Sequence, residues 1–170
     1  MSSLSVRRMT NAEIADVVDL WRRSRAAAQP WLEERMRDVW TDDHGHFRNV
    51  IAAENDLWVA VADETVVGFL AINRALLNYL YVDPPAQNRG VGTLLLSKAQ
   101  ALSPDGFTLF THQRNEKARA FYERRGLRVV AFGISPPPES EPDVKYAWQP
   151  VPRDEHRSPP SRRGKGGQGG

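Results

Sequence analysis

Gln87-Asn88-Arg89-Gly90-Val91-Gly92-Thr93 lies between an apolar stretch ending at Asp83-Pro84-Pro85 and a helical pattern running on from Leu94, so a glycine-rich turn opens directly into a helix N-terminus. The first turn of a helix carries backbone N–H groups without intrahelical acceptors, and the helix dipole adds roughly half a positive charge there. Such a turn can hold an anion. Glycines at 90 and 92 would let a diphosphate approach the backbone without a Cβ in the way. The same pair is also compatible with a plain turn and close helix–strand packing, and the surrounding chain has to decide between the two.

Upstream, Leu76 to Val82 reads as a strand that stops at Asp83, because Pro84 and Pro85 remove ladder donors and restrict the residue before them. Before it, Leu57 to Ala62, a turn at Asp63-Glu64, and Thr65 to Ile72 read as an antiparallel hairpin of two buried strands. Further back, Thr10-Asn11-Ala12-Glu13 is a capping box for a helix with Ile14, Val17, Val18 and Trp21 on one face. Pro30 interrupts that pattern, and a broken helical segment is expected to Trp40. A second helix is expected from Asp42 or Asp43, with Phe47, Val50 and Ile51 inward.

Downstream, Val91, Leu94, Leu95, Ala99 and Leu102 form the inner face of the helix that the glycines open. A strand at Phe107 to Thr111 leads to Asn115 as the cap of another helix, with Ala118, Phe121 and Tyr122 on one face and Gly126 at C′. Strands at Leu127 to Phe132 and Val144 to Trp148 complete the body. The resulting order, α, α, β, β, β, α, β, α, β, β, predicts an α/β fold: a mixed sheet with helices on both faces.

A chain of 170 residues with 41% hydrophobic content suits one domain, expected over 1–152. Without cysteine, a disulfide framework, a cysteine nucleophile and a thiolate metal site are excluded. No signal-peptide core or membrane-length apolar run occurs, so a cytoplasmic protein is expected, with no membrane partner. The formal charge of +2 rests on Arg153 to Gly170, where five basic residues stand against Asp154 and Glu155. That Gly/Pro/Arg-rich tail is expected to be disordered, and a nucleic-acid partner is disfavoured because the body itself is slightly acidic. His44-Gly45-His46 is too short a cluster to form a metal site and is assigned to a helix start, so no metal is expected.

Two motifs in order, Tyr79-Leu80-Tyr81-Val82-Asp83-Pro84 with Gln87-x-x-Gly90-x-Gly92, then Asn115-x-x-Ala118-x-x-Phe121-Tyr122-x-x-x-Gly126-Leu127, resemble the GNAT superfamily of acyl-CoA-dependent N-acyltransferases. A P-loop would need Lys-Ser/Thr after the glycines, and a dinucleotide fingerprint a third glycine in register; both are missing. The resemblance implies a largely antiparallel GNAT-like sheet with a splay between its two central strands. It also implies acetyl-CoA as acyl donor, its pyrophosphate on the backbone of Arg89, Gly90, Val91, Gly92 and Thr93 beside Gln87. The pantetheine arm would run along the main chain of Leu80 and Val82, with an oxyanion donor at the Val82 N–H. Asn115 resembles a polar CoA contact, and a plain N-cap is an alternative at the same position.

By the same resemblance Tyr122 would be the general acid for the departing thiolate, with Phe121 as packing, and the acetyl group would pass to a primary amine in a direct ternary complex. Many relatives carry a glutamate or histidine on the strand before the turn, whereas Asn78, Tyr79 and Tyr81 stand here, so a water relay through Asn78 or Tyr79, or a substrate amine that arrives already deprotonated, is the preferred expectation. His112 is a second candidate, read mainly as an incidental loop residue. Acceptor choice would fall to Arg25 to Trp40, with Trp31, Glu33, Glu34 and Trp40, and to Ser135 to Asp143, with Glu139, Glu141 and Asp143. Acidic groups beside aromatics there would favour a cationic amine or a protein N-terminus. A homodimer is compatible with all of this, and an acyl-CoA-binding regulatory module without turnover is the alternative that the missing carboxylate allows.

Overall fold

The computed structural model describes residues 3–151; the expected basic tail lies outside the described residues. Strands β1 (Leu4–Arg8), β2 (Asp56–Ala62), β3 (Thr65–Asn73), β4 (Leu76–Val82), β5 (Phe107–His112), β6 (Arg128–Ile134) and β7 (Pro142–Trp148) form one sheet in the order β1-β2-β3-β4-β5-β7-β6. Every neighbouring pair is antiparallel except β4 and β5, which run parallel. The hairpin between β2 and β3 turns on Asp63 and Glu64, both at positive φ (48° and 69°), the geometry a two-residue hairpin needs to match strand twist.

Helices cover both faces, as the continuous burial of Gly68 to Ile72 in the middle of β3 requires. Phe69 and Ala71 point into a core shared with α1 (Ile14–Ala28), whose Val17, Val18 and Trp21 meet Phe47 and Ile51. Leu70 and Ile72 point the other way, into a core made with α5 (Val91–Leu102) and with Tyr122 of α6 (Glu116–Arg124). Between α1 and β2 lie α2 (Pro30–Arg35), α3 (Asp43–His46) and α4 (Ala52–Glu54), the last two joined by a π turn over Phe47–Ile51. Asp42 caps α3 by accepting from the Gly45 N–H at 2.9 Å.

Three expectations are corrected. Strand β1 was not anticipated: its signal is only Leu4 and Val6 alternating with polar residues at the sheet edge, where they pair against β2 and pack on the α5 core. Pro30 starts α2 rather than only breaking a helix, since a first-turn residue has no N–H bond to lose. On α5 the inner face includes Leu96, while Leu102 at the helix end is 38% exposed.

At the start of α1 the Glu13 carboxylate accepts from the Thr10 N–H (2.9 Å) and hydroxyl (3.0 Å) and from both terminal nitrogens of Arg7 (2.7 Å each). The Arg7 guanidinium holds the Glu13 carboxyl at about 2, below its ordinary 4.5. A depressed carboxyl stabilises the fold fully above its unfolded value and loses that contribution as pH falls through its folded value. Glu13→Gln is therefore expected to lower the thermal midpoint by a few degrees at neutral pH. Melts of both proteins across acid pH check this: the gap should close between about 4.5 and about 2, and a gap constant with pH would refute it.

Candidate active site

Strands β4 and β5 are paired only at Leu76↔Thr108 and Leu77↔Leu109. At that point β4 bulges: Ala71 of β3 faces Tyr79 and Ile72 faces Leu77, leaving Asn78 without an opposite residue. A bulge bends its strand and sharpens the local twist, and here it sits where β4 leaves β5. The splay opens a cleft of about 820 Å³ lined by Asn78 to Tyr81, by Leu109 to His112 and by Tyr122. The bulge also resets alternation, so Leu80 and Val82 pack toward α5 while Tyr79 and Tyr81 face the α1 side.

The cleft edge of β4 is main chain. Because the Asp83 N–H donates to the Val67 carbonyl on β3 (2.8 Å), strand alternation turns the peptide groups of Leu80 and Val82 to the edge that β5 has left. The Val82 carbonyl already accepts from the Ser24 hydroxyl (3.0 Å) and the Gln87 amide (3.1 Å). What Val82 turns to the cleft is its N–H, while its carbonyl is taken up by these two donors.

The glycine turn divides its work. Gly90 caps α5 at φ +83°, a conformation that costs other L-residues about 1–2 kcal/mol, and nothing lies within 4 Å of where a Cβ would stand. At Gly92 a Cβ would come 3.1 Å from the Phe121 ring, so this glycine lets α6 close on α5. Gln87 joins the Val82 carbonyl to Lys117, whose Nζ donates to the Gln87 side-chain carbonyl at 2.7 Å. Arg125 lies 3.8 Å above the Phe121 ring and donates to the Thr93 hydroxyl from two nitrogens (3.0 and 2.6 Å). Lys117 and Arg125 were not singled out from sequence, where two basic residues on an exposed helix read as a solvated surface; Arg89 is exposed on the turn itself.

Asn115 caps α6, accepting from the Ala118 N–H at 3.1 Å, and also lines the cleft. Tyr122 is 8% exposed, its ring edge-on to Phe121 (5.3 Å) and tilted against Tyr146 (5.9 Å). Burial pushes the Tyr122 phenol well above the ordinary 10. Tyr79 is also raised, by burial and then by the charge of Glu139. Asn78 is exposed, and its amide donates to Asn55 at 2.7 Å.

On the α1 side the expected acidic surface is mostly committed elsewhere. Arg25 is 6% exposed, sandwiched between Trp21 (4.5 Å) and Trp40 (4.6 Å) and paired with Glu33 and with Asp43 (3.1 Å). Glu141 is 1% exposed and takes Arg35 (2.7 Å), the Trp31 indole N–H (3.1 Å) and Arg114 (3.6 Å). Glu33 and Glu141 are therefore neutralised structural groups, leaving Glu139 and Asp143 as cleft-lining carboxylates of the second segment. His112 is the last residue of β5 rather than part of a loop. Its side chain is 13% exposed, its Nε2 lies 3.8 Å from Glu139, and its buried Nδ1 has no hydrogen-bond partner among the described residues.

A mixed sheet split at its centre, with a glycine-capped helix at the end of the split and a buried tyrosine facing into it, defines an acyl-CoA-dependent acyltransferase. A family model described as an acetyltransferase (GNAT) domain matches residues 53–128. The peptidyl-lysine N-acetyltransferase YjaB of Salmonella typhimurium is 30% identical over 128 residues, covering 75% of this chain and 85% of the relative. The Escherichia coli protein of the same name is 31% identical over 128 residues, covering 75% and 84%. The solution structure of apo YjaB from Escherichia coli superposes with a TM-score of 0.69 at 25% identity, covering 85% of this chain and 97% of that one. The PaiA N-acetyltransferase of Thermoplasma acidophilum, solved with coenzyme A, shares the fold with a TM-score of 0.63 at 18% identity, covering 86% and 99%.

The chain belongs to the GNAT family and transfers an acetyl group from acetyl-CoA to an amine. No helix among the described residues is long and apolar enough to cross a membrane.

Proposed function

We propose that the acceptor is the ε-amine of a peptidyl lysine, acetylated in a direct ternary complex. The observation that carries this reading is a pair of carboxylates, Glu139 and Asp143, with no arginine or lysine partner among the described residues, in a cleft walled by Trp21, Trp40 and Tyr79 on its α1 side. A cationic side chain with a long apolar stem suits aromatic walls and an acidic end. The curated relatives named for peptidyl-lysine acetylation agree with it.

Acetyl-CoA is assigned to the opposite side of the splay. The backbone N–H groups of Arg89, Gly90, Val91, Gly92 and Thr93 hold its pyrophosphate, with Gln87 bracing the turn. The cleft-edge peptide groups of Leu80 pair with the pantetheine arm, Val82 turns its N–H to the thioester end of that arm, and Asn115 adds a polar contact. The Val82 N–H stabilises the oxyanion, and the Tyr122 hydroxyl protonates the departing thiolate. Asn78 and Tyr79 hold a water beside the amine, the first part of the path by which its proton leaves. A cysteine-free chain suits a reducing compartment, and we place the protein in the cytoplasm. The exposed apolar residues Val130, Phe132 and Ile134 of β6 support a homodimer.

The test offers acetyl-CoA with a peptide carrying one lysine and a free N-terminus. Mass spectrometry should place the acetyl group on the ε-nitrogen, and modification of the N-terminal amine alone would overturn the lysine reading. Initial rates at varied concentrations of both substrates should give intersecting reciprocal plots; parallel lines would signal a covalent acyl-enzyme and refute direct transfer.

A further inference from the structure

A water relay through Asn78 and Tyr79 has no end. An amide has no useful basicity, and the Tyr79 phenol, held above its ordinary value, stays protonated at neutral pH. A lysine ammonium must lose a proton before its nitrogen can attack, and a group of intermediate basicity on the acceptor side of the cleft would take that proton from the bound amine.

Two imidazoles line that cleft, His46 and His112. His46 is exposed on α3 with its ring stacked on Trp21 (6.2 Å). His112 is nearly enclosed, and alternation along β5 places it with Phe110 on the face opposite Leu109, the face that Tyr79 and Tyr81 also turn outward. Its Nε2 lies 3.8 Å from the Glu139 carboxylate. Among the described residues Glu139 has no Arg or Lys within ion-pair distance, unlike Glu33, Asp43 and Glu141.

The segment presenting Glu139 is pinned. The Arg35 guanidinium donates to the Glu139 carbonyl and to the Glu141 carboxylate, Glu141 is also held by Trp31, and the Ser135 N–H donates to the Glu141 carbonyl at 2.8 Å. Glu141 is therefore an anchor that sets Glu139 against the end of β5.

We propose that His112 and Glu139 form the amine-entry site: the Glu139 carboxylate receives the lysine ammonium and His112 Nε2 takes its proton. This rests on the lysine reading above. The freed lone pair attacks the acetyl carbon as the C=O π pair moves to oxygen. Collapse breaks the C–S bond, Tyr122 protonates the thiolate, and the second nitrogen proton returns through water to the Tyr122 oxygen. His112 releases the first proton to solvent, which balances the reaction. The charged and titratable groups that line the cleft with His112 are Glu139, Asp143 directly across on β7, Tyr79, Tyr81 and Tyr122, and on the α1 side Arg25, Asp42, Asp43 and His46.

The test follows thiol release from acetyl-CoA with an Nα-acetylated lysine peptide, against pH. His112→Gln should lower kcat by about 100-fold and abolish the bend in the pH profile of kcat/KM, while His46→Gln keeps that bend. Glu139→Gln should raise the peptide KM by about tenfold, Glu139→Asp should recover part of it, and the melting shift given by acetyl-CoA should persist in every variant. A wild-type bend retained in His112→Gln, or an unchanged peptide KM in Glu139→Gln, overturns the pair.

Butylamine as a second acceptor separates the two readings. If butylamine is acetylated with the same His112 and Glu139 dependence while the peptide is not, the lysine reading fails and the pair stands. If neither acceptor turns over, the wild-type imidazole NMR spectrum decides: butylamine must shift the His112 Nε2 resonance, and no shift overturns the pair.

Discussion

Tyr122→Phe is expected to lower kcat by about 100-fold or more while leaving the melting shift produced by acetyl-CoA nearly intact. Burial carries the argument. A buried phenol pushed above its ordinary value remains protonated throughout the neutral range, so it enters each turnover as a donor. A thiolate departing beside that hydroxyl, as proposed above, would carry an unpaired negative charge next to buried side chains, and a proton delivered there would offset its cost. Phenylalanine keeps the ring contacts with Phe121 and Tyr146, so folding should change little. Steady-state kinetics with saturating acetyl-CoA, together with a thermal melt with and without it, checks both halves. An unchanged kcat would remove Tyr122 as the acid, and a lost melting shift would make it a binding residue instead.

Sequence carried the parts of this site whose causes are local. Asp83-Pro84 ends β4 because proline chemistry acts on its immediate neighbour, and Asn115 and Gly126 bracket α6 because caps are decided within one turn. The bulge at Asn78 was not legible, since Leu77-Asn78-Tyr79 reads along the chain as ordinary alternation and only pairing with β3 exposes the extra residue. The same holds for the acids. Glu33, Glu139 and Glu141 look alike in sequence, yet two are held by arginines and one is left facing a histidine, because remote partners set their roles. His112 reads as a loop residue until the β5–β7 register carries the strand to its position opposite Asp143.

The division of the cleft into two sides follows from the bulge. Resetting alternation on β4 puts Leu80 and Val82 against the α5 core and Tyr79 and Tyr81 toward α1, so apolar packing backs one side of the cleft while phenols line the other. The peptide edge between them stays unpaired by β5 because the strands have already parted after Leu77. A single inserted residue thus stands where the strands part and sets which side chains line each side of the opening.

Arg25→Ala should destabilise the fold by about 3–5 kcal/mol, the usual consequence of removing one partner from a buried ionic cluster. Burial works against the Arg25 charge, but Asp43 and Glu33 outweigh it and hold the guanidinium above its ordinary value. Truncation strands both carboxylates, Asp43 with only the half-exposed Arg22 at 3.3 Å, and removes the cation stacked between Trp21 and Trp40. A chain of this length should lose on the order of 10 °C in thermal midpoint. Arg25→Lys should recover little, because an ammonium cannot make the planar stack or the forked contacts to both acids. Adding Glu33→Gln and Asp43→Asn to Arg25→Ala should restore part of the loss, since the stranded charges then disappear. If the triple variant is no more stable than Arg25→Ala alone, the cost lies in the lost aromatic sandwich and not in unpaired charge.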